Sequence, residues 1–491
     1  MPPGHFVCAA LPSLHTHIRM ALEDNPNYAN ETHINNFLKN NVNKFLTSVG
    51  CVLRREKKIS HKNFDRYVKR YLNKFNSSPF LKDCEIIVDS AGFQIQQGYL
   101  LKEDIYPFID LYNDHFITNQ HSKFTHAFNL DLAPGASYCP FDSWEEMMKY
   151  NLYSYKKTKN LSQHIKDKMI YVHHFRTPRI NHIYKELLFK HNMAEGYSNF
   201  ATGGLVSFSK LGLAPPYVLY VIPLIHILHY NKTIGLKKFR FHVLGGADWK
   251  EIFAHVFLAR HIKELFDIDV EITYDSSGIF QTLCMGRYVF APLKDTKELY
   301  KMSLRAATLQ NVWKNVKRTD ELFYDLINDV VVPYGMKSIN TVDNPLYYGG
   351  TLENENHVVD PENGLMYSDS TLSRLTYMYS MIYILSLFRT VEEWCNEYVD
   401  DLYPKFLDKS FKEYDFNKEI KDCLVKLNDG KKSNNVDIRT ISISNSLNLL
   451  NEYKQNPDKT LIKCDEIINQ YMKKDECQKL VDNHDKYIDY I

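Results

Sequence analysis

Three short apolar segments that each end in an aspartate restrict the fold of this chain more than any other part of it. They are Glu85–Asp89, Ala127–Asp131 and Val270–Asp275. Each is rich in apolar or β-branched residues, which predicts a buried strand, and each stops at a carboxylate followed by turn residues. In a parallel α/β barrel the carboxyl ends of all strands open on one face, so three distant carboxylates can converge on one pocket. This pattern is typical of an enzyme.

The regular alternation around these segments predicts the fold class. From residue 1 to about 320, strand-like runs alternate with helix-like runs, which indicates parallel strands joined by right-handed crossovers. Seven or eight such units suit an α/β fold, a (β/α)8 TIM-like barrel with insertions. A doubly wound sheet is the alternative, but it would normally carry a Gly-rich turn where this chain has Pro12–His17. The predicted strands are His5–Leu11, Glu85–Val88, Thr125–Leu130, Lys168–Val172, Asn199–Thr202, Phe239–Leu244, Asp269–Tyr274 and, as a late addition, Arg287–Ala291.

The length of the chain predicts more than one structural region. At 491 residues it is too long for one ordinary core. We predict a barrel over residues 1–325, with a basic helical insertion near 20–78, and a mainly helical C-terminal appendage over 326–491. The longest apolar stretch, Tyr217–Leu228, is interrupted by Pro223 and is too short to span a bilayer. We therefore expect no membrane association.

The cysteines predict a reducing compartment and offer no metal motif. There are nine, and the closest pair, Cys464 and Cys477, lies 13 residues apart. No Cys-x-x-Cys pair is present to begin a zinc site or a redox motif. An odd number of cysteines, several inside apolar runs, indicates free thiols in a cytoplasm.

Basic residues cluster locally although the net charge is only +1. The segment Arg54–Lys74 holds nine Lys or Arg against two acidic residues, and a second basic stretch spans Lys301–Arg318. Such clusters are typical of proteins that bind a polyanion, although a solvated helix face has the same composition. The predicted nucleic-acid-binding residues are Arg54, Arg55, Lys58, Lys62, Arg66, Arg70 and, at a strand end, Arg176.

Polar and glycine-rich segments follow the other predicted strands. They are Tyr171–Arg176, Thr202–Leu205 and Leu244–Asp248. Taken singly, an Asp after a strand is usually a helix N-cap and a Gly-Gly pair is usually a turn. Their shared position, each at a carboxyl end of a predicted strand, favours a common site.

Some of these motifs resemble those of the guanine transglycosylases. Asp89-Ser-Ala-Gly-Phe-Gln94 is similar to the Asp-Ser-Gly-Gly-Phe-Gln signature of that family, with Ala91 in place of a glycine. Gly203-Gly204-Leu205 resembles its Gly-Gly-Leu strand end, and Tyr274-Asp275-Ser276 occupies the place of its nucleophile-bearing last strand. The agreement in order and spacing runs from about residue 85 to 282.

The resemblance implies base exchange at a nucleoside C1′. Asp275 would be the nucleophile that forms a covalent glycosyl-enzyme intermediate, and Asp89 would be the general acid/base. The position that carries Gln in the tRNA enzymes falls near His173. The implied base-binding residues are Ser90, Phe93, Gln94, Asp131, His173, Gly203, Gly204 and Leu205.

One departure from the family favours a DNA substrate. The tRNA enzymes carry a Cys-x-Cys-x-x-Cys…His zinc module after the last strand, which this sequence lacks. The chain is thus most similar to the 7-deazaguanine DNA transglycosylases of phages and bacterial genomic islands. This implies a DNA partner and 7-cyano-7-deazaguanine or a close derivative as co-substrate. It also implies protection of DNA from restriction nucleases, no zinc, and action in the cytoplasm.

Three other interpretations stay open at the level of sequence. The first is a tRNA-guanine transglycosylase without its zinc module, because both nucleic acids are polyanions whose target base must be unstacked. The second is a metal-dependent amidohydrolase-like barrel that uses His15, His17, His173, His174 and Asp275. The third is a non-catalytic nucleic-acid-binding barrel, which the pair Asp89 and Asp275 disfavours.

Overall fold

The computed structural model divides the chain into two compact units. The first, the sheet unit, comprises Lys44–Asp275 and Ser442–Ile491; the second unit comprises Met1–Asn43 and Ser276–Ile441. The structure describes residues 6–7, 30–50, 59–77, 84–96, 98–134, 139–203, 218–245, 249–275, 288–292, 304–308, 332–337, 357–359, 366–368 and 446–471, with the single positions 382, 385, 389 and 392.

Strands β2 to β8 belong to the sheet unit, and the other strands in the described ranges belong to the second unit. In chain order they are β1 (Phe6–Val7), β2 (Lys44–Ser48), β3 (Glu85–Asp89), β4 (His126–Phe128), β5 (Met169–His174), β6 (Asn199–Gly203), β7 (Lys238–Val243), β8 (Asp269–Asp275), β9 (Tyr288–Pro292), β10 (Leu304–Thr308), β11 (His357–Val359) and β12 (Met366–Ser368).

Helices separate consecutive strands of the sheet unit, as the alternation in the sequence predicts. They are α1 (Glu31–Asn41) in the second unit, and in the sheet unit α2 (His61–Tyr67), α3 (Asn73–Ser77), α4 (Gly92–Gln96), α5 (Ile105–Asp110), α6 (Thr118–Gln120), α7 (Trp144–Lys159), α8 (Gln163–Lys166), α9 (Pro178–Phe189), α10 (Val218–Ile234), α11 (Trp249–Phe266) and α12 (Pro457–Tyr471). Shorter segments are π-helical (Val68–Leu72, Leu111–Ile117) or 3-10 helical (Lys102–Asp104, His121–Lys123, Val332–Tyr334).

Strands β2 to β8 form one parallel sheet in which spatial order follows chain order. Side-chain caps fix where the crossover helices begin. Ser143 accepts a hydrogen bond from the Glu146 N–H at the start of α7, and Thr177 accepts one from the Ile180 N–H at the start of α9. Pro178, at the first position of α9, suits a helix start because its missing N–H would have no partner there.

The sheet is curled into a half-barrel, and a buried charge network across its concave face demonstrates the curvature. Lys44 on β2, the first strand of the sheet unit, lies 2.6 Å from Glu271 on β8, its last strand. Arg240 on β7 contacts both Glu271 (3.1 Å) and Glu85 on β3 (2.9 Å). Because side chains alternate between faces along a strand, Ser48, Asp89, His242 and Asp275 lie on the same concave face as these charges.

The outer face of the sheet is covered by helices. Strand β5 is buried along its whole length, and α10 is apolar nearly all round, as expected for a helix enclosed by protein. Helix α12 packs on α9 and α10, where Asp465 accepts hydrogen bonds from Asn181 (2.8 Å) and Lys185 (2.7 Å). Within the described ranges, no helix is both long and apolar enough to cross a membrane.

The second unit contains short elements. Asn30 caps α1 by accepting a hydrogen bond from the His33 N–H (3.0 Å). Phe37 and Asn41 of that helix contact Tyr334, the first through its ring (5.1 Å between centroids) and the second through a hydrogen bond of 2.9 Å. The strands pair as two antiparallel hairpins, β9 with β10 and β11 with β12.

Several strands differ from the sequence prediction, since β2, β10, β11 and β12 are not predicted and β9 pairs differently. Strand β2 lies inside the stretch predicted as a helical insertion. The sequence does not indicate this strand, because its first residue, Lys44, is buried through ion pairs with Glu271 and Glu85 on other strands. The late strand predicted at Arg287–Ala291 exists as β9, but it pairs antiparallel with β10 in the second unit and does not extend the parallel sheet. The six predicted strands from Glu85–Val88 to Asp269–Tyr274 are confirmed as β3 to β8.

Candidate active site

Three aspartates meet at the carboxyl end of the sheet. Asp89 ends β3, Asp275 ends β8, and Asp131 follows β4 by three residues. The pKa of Asp89 is raised to about 6, mainly because surrounding protein desolvates its carboxyl group and further because the Asp131 and Asp275 carboxylates lie near. Its surface is nevertheless partly exposed, so Asp89 lies at an opening that solvent can reach. These are the three strand ends that the sequence singles out.

Strand β2 supplies the partner of Asp89. The Ser48 hydroxyl donates a hydrogen bond of 2.5 Å to Asp89 Oδ2, and in turn accepts one of 3.0 Å from the Gly50 N–H. The Ser48 bond and the Ala91 N–H both lower the pKa of Asp89, but by less than burial raises it. Sequence analysis missed Ser48 because it missed the strand that carries it.

The turn after Asp89 packs directly on the loop that carries Asp131. Ala91 has a φ of 72°, in the left-handed region that favours glycine, and it stands where the transglycosylase signature has Gly. A Cβ atom on Gly92 would lie 2.7 Å from the Asp131 carbonyl oxygen, so only glycine fits there. Position 91 therefore favours glycine for its backbone freedom, and Ala91 adopts this φ at some strain, whereas Gly92 is needed because a side chain has no room there.

The predicted base-binding residues of this turn have different environments. Ser90 is buried, whereas Phe93 is 46% exposed, which is unusual for so large an apolar side chain. The Gln94 side chain covers Gly50, where an added Cβ would lie 2.3 Å from Gln94 Cδ. Phe93 is thus the residue of this turn that offers an open aromatic surface.

The loop that carries Asp131 is held by side chains from two helices. Asn151 on α7 binds both backbone groups of Leu132, accepting from its N–H (2.7 Å) and donating to its carbonyl (2.9 Å). The Tyr184 hydroxyl on α9 also donates to the Leu132 carbonyl (2.9 Å). These buried bonds fix the backbone next to Asp131, which is itself only 5% exposed.

The histidine that reaches this site is His174 and not His173. His174 Nε2 is hydrogen-bonded to Asp131 Oδ2, and both side chains are buried. His173 lies on the opposite face of β5, where its Nε2 is 3.1 Å from Nδ1 of His226 on α10 and its ring contacts Tyr184. Burial lowers the pKa of His173 to about 3. The structure therefore places His174, and not the predicted His173, beside Asp131, because adjacent strand residues point to opposite faces.

Gly203 gives His174 its space. A Cβ on Gly203, the partner of His174 across the strands, would lie 2.6 Å from the His174 Cε1 atom. Position 203 must therefore be glycine to leave room for the His174 imidazole. Gly204 and Leu205 lie outside the described residues.

Asp275 is held by β7 and the residues that follow it. Its Oδ1 accepts hydrogen bonds from the Gly245 N–H (2.9 Å) and from His242 Nε2 (3.2 Å). The Asp275 residue is only 6% exposed. The sequence pointed to Leu244–Asp248 as a polar strand end, but it gave no signal for His242, which lies inside the strand.

The predicted nucleic-acid-binding residues differ in their exposure to solvent. Lys62, Arg66 and Arg70 lie on the exposed side of α2 and the π-helical segment that continues it, opposite buried residues such as Phe64 and Tyr67. Arg176 is only 7% exposed, so it does not belong to an open basic surface. Arg54, Arg55 and Lys58 lie outside the described residues.

The described residues offer no group of metal ligands at this site or elsewhere. Within the described parts of the chain, no three His, Cys, Asp or Glu side chains are grouped so that they could hold a metal ion. His15 and His17 lie outside those parts.

Comparison of the chain with protein-family models, with curated proteins and with solved structures finds no match in any of the three.

Proposed function

We propose that this protein is a pentosyltransferase that exchanges guanine in DNA for 7-cyano-7-deazaguanine or a close derivative. One observation carries the proposal. Two carboxylates in different environments, Asp89 and Asp275, lie at the carboxyl end of the sheet, close enough that the charge of Asp275 helps to raise the pKa of Asp89. A retaining displacement needs this combination, one carboxylate that attacks and one carboxyl group that moves protons near neutral pH. The raised pKa of Asp89, about 6, suits the second role.

In the first half of the reaction, Asp275 attacks the deoxyribose C1′ and forms an ester. The C1′–N bond breaks, its electron pair moves to the guanine, and Asp89 donates its proton to the departing base. In the second half, the Asp89 carboxylate removes the ring N–H proton of the incoming base. That nitrogen then attacks C1′, the ester bond breaks, and Asp275 is regenerated as a carboxylate.

Asp131 and His174 are suited to binding the edge of a purine-like base. An ionised carboxylate only accepts hydrogen bonds, and guanine and its 7-deaza analogues present two neighbouring N–H donors that adenine lacks on that edge. The contact with the His174 imidazole fixes the orientation of the Asp131 carboxyl group. Phe93, exposed beside Asp89, offers a ring on which a base can stack.

The proposal extends to the rest of the molecule. We propose that the half-barrel is part of a closed (β/α)8 barrel and that a helical C-terminal region completes the fold. DNA would approach along the basic side of α2, whose first turn lies nearest the carboxyl end of the sheet because a crossover helix starts there. Protection of the modified DNA from restriction nucleases, and a mechanism without zinc, belong to the same proposal.

The test is incorporation of a labelled base. Purified protein is incubated with labelled 7-cyano-7-deazaguanine and either duplex DNA or tRNA, and the label that becomes acid-insoluble is counted. We expect label in DNA, no label with Asp275→Asn, and undiminished incorporation after treatment with a chelator. Label in tRNA alone, or stoichiometric zinc in active protein, would move the protein to the RNA-acting branch, and no label in either would remove the proposed reaction.

A further inference from the structure

We infer that His242 is a positioning residue that selects Oδ2 of Asp275 as the attacking oxygen. This inference rests on the proposed base exchange, and it concerns how the proposed nucleophile is held. His242 is completely buried on the concave face of β7. It does not reach the opening itself, so it would act on the reaction only through Asp275.

The contacts of His242 follow from the register of β7 and β8. His242 lies directly opposite Thr273, and Asp275 lies two residues further along β8 on the same face. The ring spans both side chains, with Nδ1 2.9 Å from Thr273 Oγ1 and Nε2 3.2 Å from Asp275 Oδ1. Phe128 packs against the ring, 5.4 Å away between centroids. The imidazole is therefore fixed from three sides.

These contacts determine the tautomer of a neutral imidazole. An ionised carboxylate can only accept, so the proton must be on Nε2 for a bond to Asp275. Nδ1 is then an acceptor, and the Thr273 hydroxyl, which can donate or accept, donates to it. The result is a directed chain of hydrogen bonds from Thr273 through His242 to Asp275, with a third group orienting the residue that holds the nucleophile.

The two oxygens of Asp275 consequently differ. Oδ1 accepts two hydrogen bonds, from Gly245 and His242, whereas Oδ2 accepts none from the described residues. The carboxylate plane is held, and Oδ2 is the oxygen left to form the bond to C1′. In the ester, Oδ1 becomes the carbonyl oxygen and keeps both donors, which stabilise negative charge when the carboxylate leaves again.

A specific kinetic signature follows from this arrangement. Without the His242 donor, Asp275 becomes more basic, so it attacks as well or better but leaves the ester more slowly. We expect His242→Leu to lower turnover by about 10- to 100-fold, the range for loss of one hydrogen bond to a charged group. The fraction of enzyme carrying covalent DNA at steady state should rise in this variant. A merely structural defect would lower turnover and adduct together.

Two matched variants test the chain of hydrogen bonds. His242→Gln keeps an N–H donor of similar reach and should recover most of the turnover lost in His242→Leu. Thr273→Val removes the hydroxyl that donates to Nδ1 while keeping the shape of the side chain, and it should show a weaker form of the same adduct accumulation. Adduct is measured on denaturing gels with labelled oligonucleotide, and a melting curve of each variant verifies that it is folded. Less adduct in His242→Leu than in wild type would overturn the inference.

A readout that does not need activity separates this inference from the proposed reaction. In protein with isotope-labelled histidine, the His242 signal, assigned by its loss in His242→Gln, should report a ring protonated at Nε2. Its Nε2 resonance should shift in Asp275→Asn more than in Glu271→Gln. A ring protonated only at Nδ1 would overturn the inference even if base exchange is found. Absence of exchange with the expected tautomer would overturn the proposed reaction alone.

Discussion

The two ends of the curled sheet differ in how their charged side chains are arranged: opposite charges are paired at one end, and carboxylates are gathered at the other. At the amino end, the cations Lys44 and Arg240 are paired with the carboxylates Glu85 and Glu271 within 2.6–3.4 Å. At the carboxyl end, Asp89, Asp131 and Asp275 share one site, where their side-chain partners are the Ser48 hydroxyl and the imidazoles of His174 and His242. Strands β3 and β8 both contribute one carboxylate to each end of the sheet.

The pKa values record the difference. At the amino end, burial tends to raise the pKa of Glu271, but Lys44 and Arg240 outweigh burial and bring it down to about 2. At the carboxyl end, burial and like charges raise the pKa of Asp89 to about 6. Compensated charge stabilises the fold, whereas uncompensated charge costs stability and produces a group that can exchange protons near neutral pH.

The largest expected effect is on activity, from a change at the carboxyl end. Asp275→Asn replaces the proposed nucleophile by a neutral side chain of the same size, and base exchange should fall by about 10⁴-fold or more. No covalent adduct should appear on denaturing gels, while DNA binding in a mobility-shift assay should be nearly unchanged. Exchange at close to the wild-type rate would show that Asp275 is not the nucleophile and that the comparison of the two ends has no functional meaning.

Asp89→Asn should make the protein less active and more stable at once. Exchange should fall by about 10²–10⁴-fold because the acid/base group is lost. The free energy of unfolding should rise by about 1–2 kcal/mol at about pH 8, since an ionised carboxylate is removed from a site that disfavours it.

The gain in stability expected for Asp89→Asn should depend on pH. The folded pKa of Asp89, about 6, lies above its ordinary value of 3.8, so its ionisation destabilises the fold fully above about pH 6 and not at all below about pH 3.8. The stability gain of Asp89→Asn in urea titrations should therefore vanish as the pH falls through this window. A gain that is the same at every pH would have another cause.

Glu271→Gln is the matched change at the amino end of β8, the strand that carries Asp275. It removes the closest partner of the buried Lys44 and should lower the free energy of unfolding by about 3–5 kcal/mol. Exchange per folded molecule should stay within about threefold of wild type. Because the folded pKa of Glu271 is depressed from 4.5 to about 2, its contribution is complete above about pH 4.5 and is lost as pH falls towards 2. A loss below about 1 kcal/mol in urea would mean that the network does not stabilise the fold.

The smallest expected effect concerns the turn after Asp89. Ala91→Gly relieves a left-handed conformation that costs a non-glycine residue about 1 kcal/mol, although glycine loses more entropy on folding. We expect a change in the free energy of unfolding between about 0 and +1 kcal/mol, with exchange unchanged. Ala91→Val, with a branched side chain at the same φ, serves as the control and should be clearly destabilised in the same urea titration.

Most of the sheet could be predicted from sequence because its strands are continuous β-branched runs that stop at polar residues. Strand β2 could not, because Lys44 reads as an exposed residue unless its partners are known, and the nearest, Glu271, is 227 residues away in the chain. For a related reason, the sequence could not show which of His173 and His174 lies beside Asp131. Two adjacent histidines give no indication of which face of β5 is concave, and only the contacts with His226 and Asp131 decide it.

The aspartates of the candidate site could be predicted from the sequence, but the side chains that position them could not. Asp89 and Asp275 stand at strand ends, where a pattern can find them. Ser48, Asn151 and His242 lie on other elements and meet the aspartates only in three dimensions. Such partners have ordinary sequence surroundings, so no local pattern could have indicated them.

The ion pair between Lys44 and Glu271 has a consequence for the order of folding during synthesis. Its two residues are separated by 227 positions, so at about 5–20 residues per second roughly 10–45 seconds pass between their appearance on a ribosome. Until then Lys44 has Glu85 as its nearer partner in the chain. The first strand of the sheet can therefore be docked early, but the half-barrel closes its charged end only when the last strand has been made.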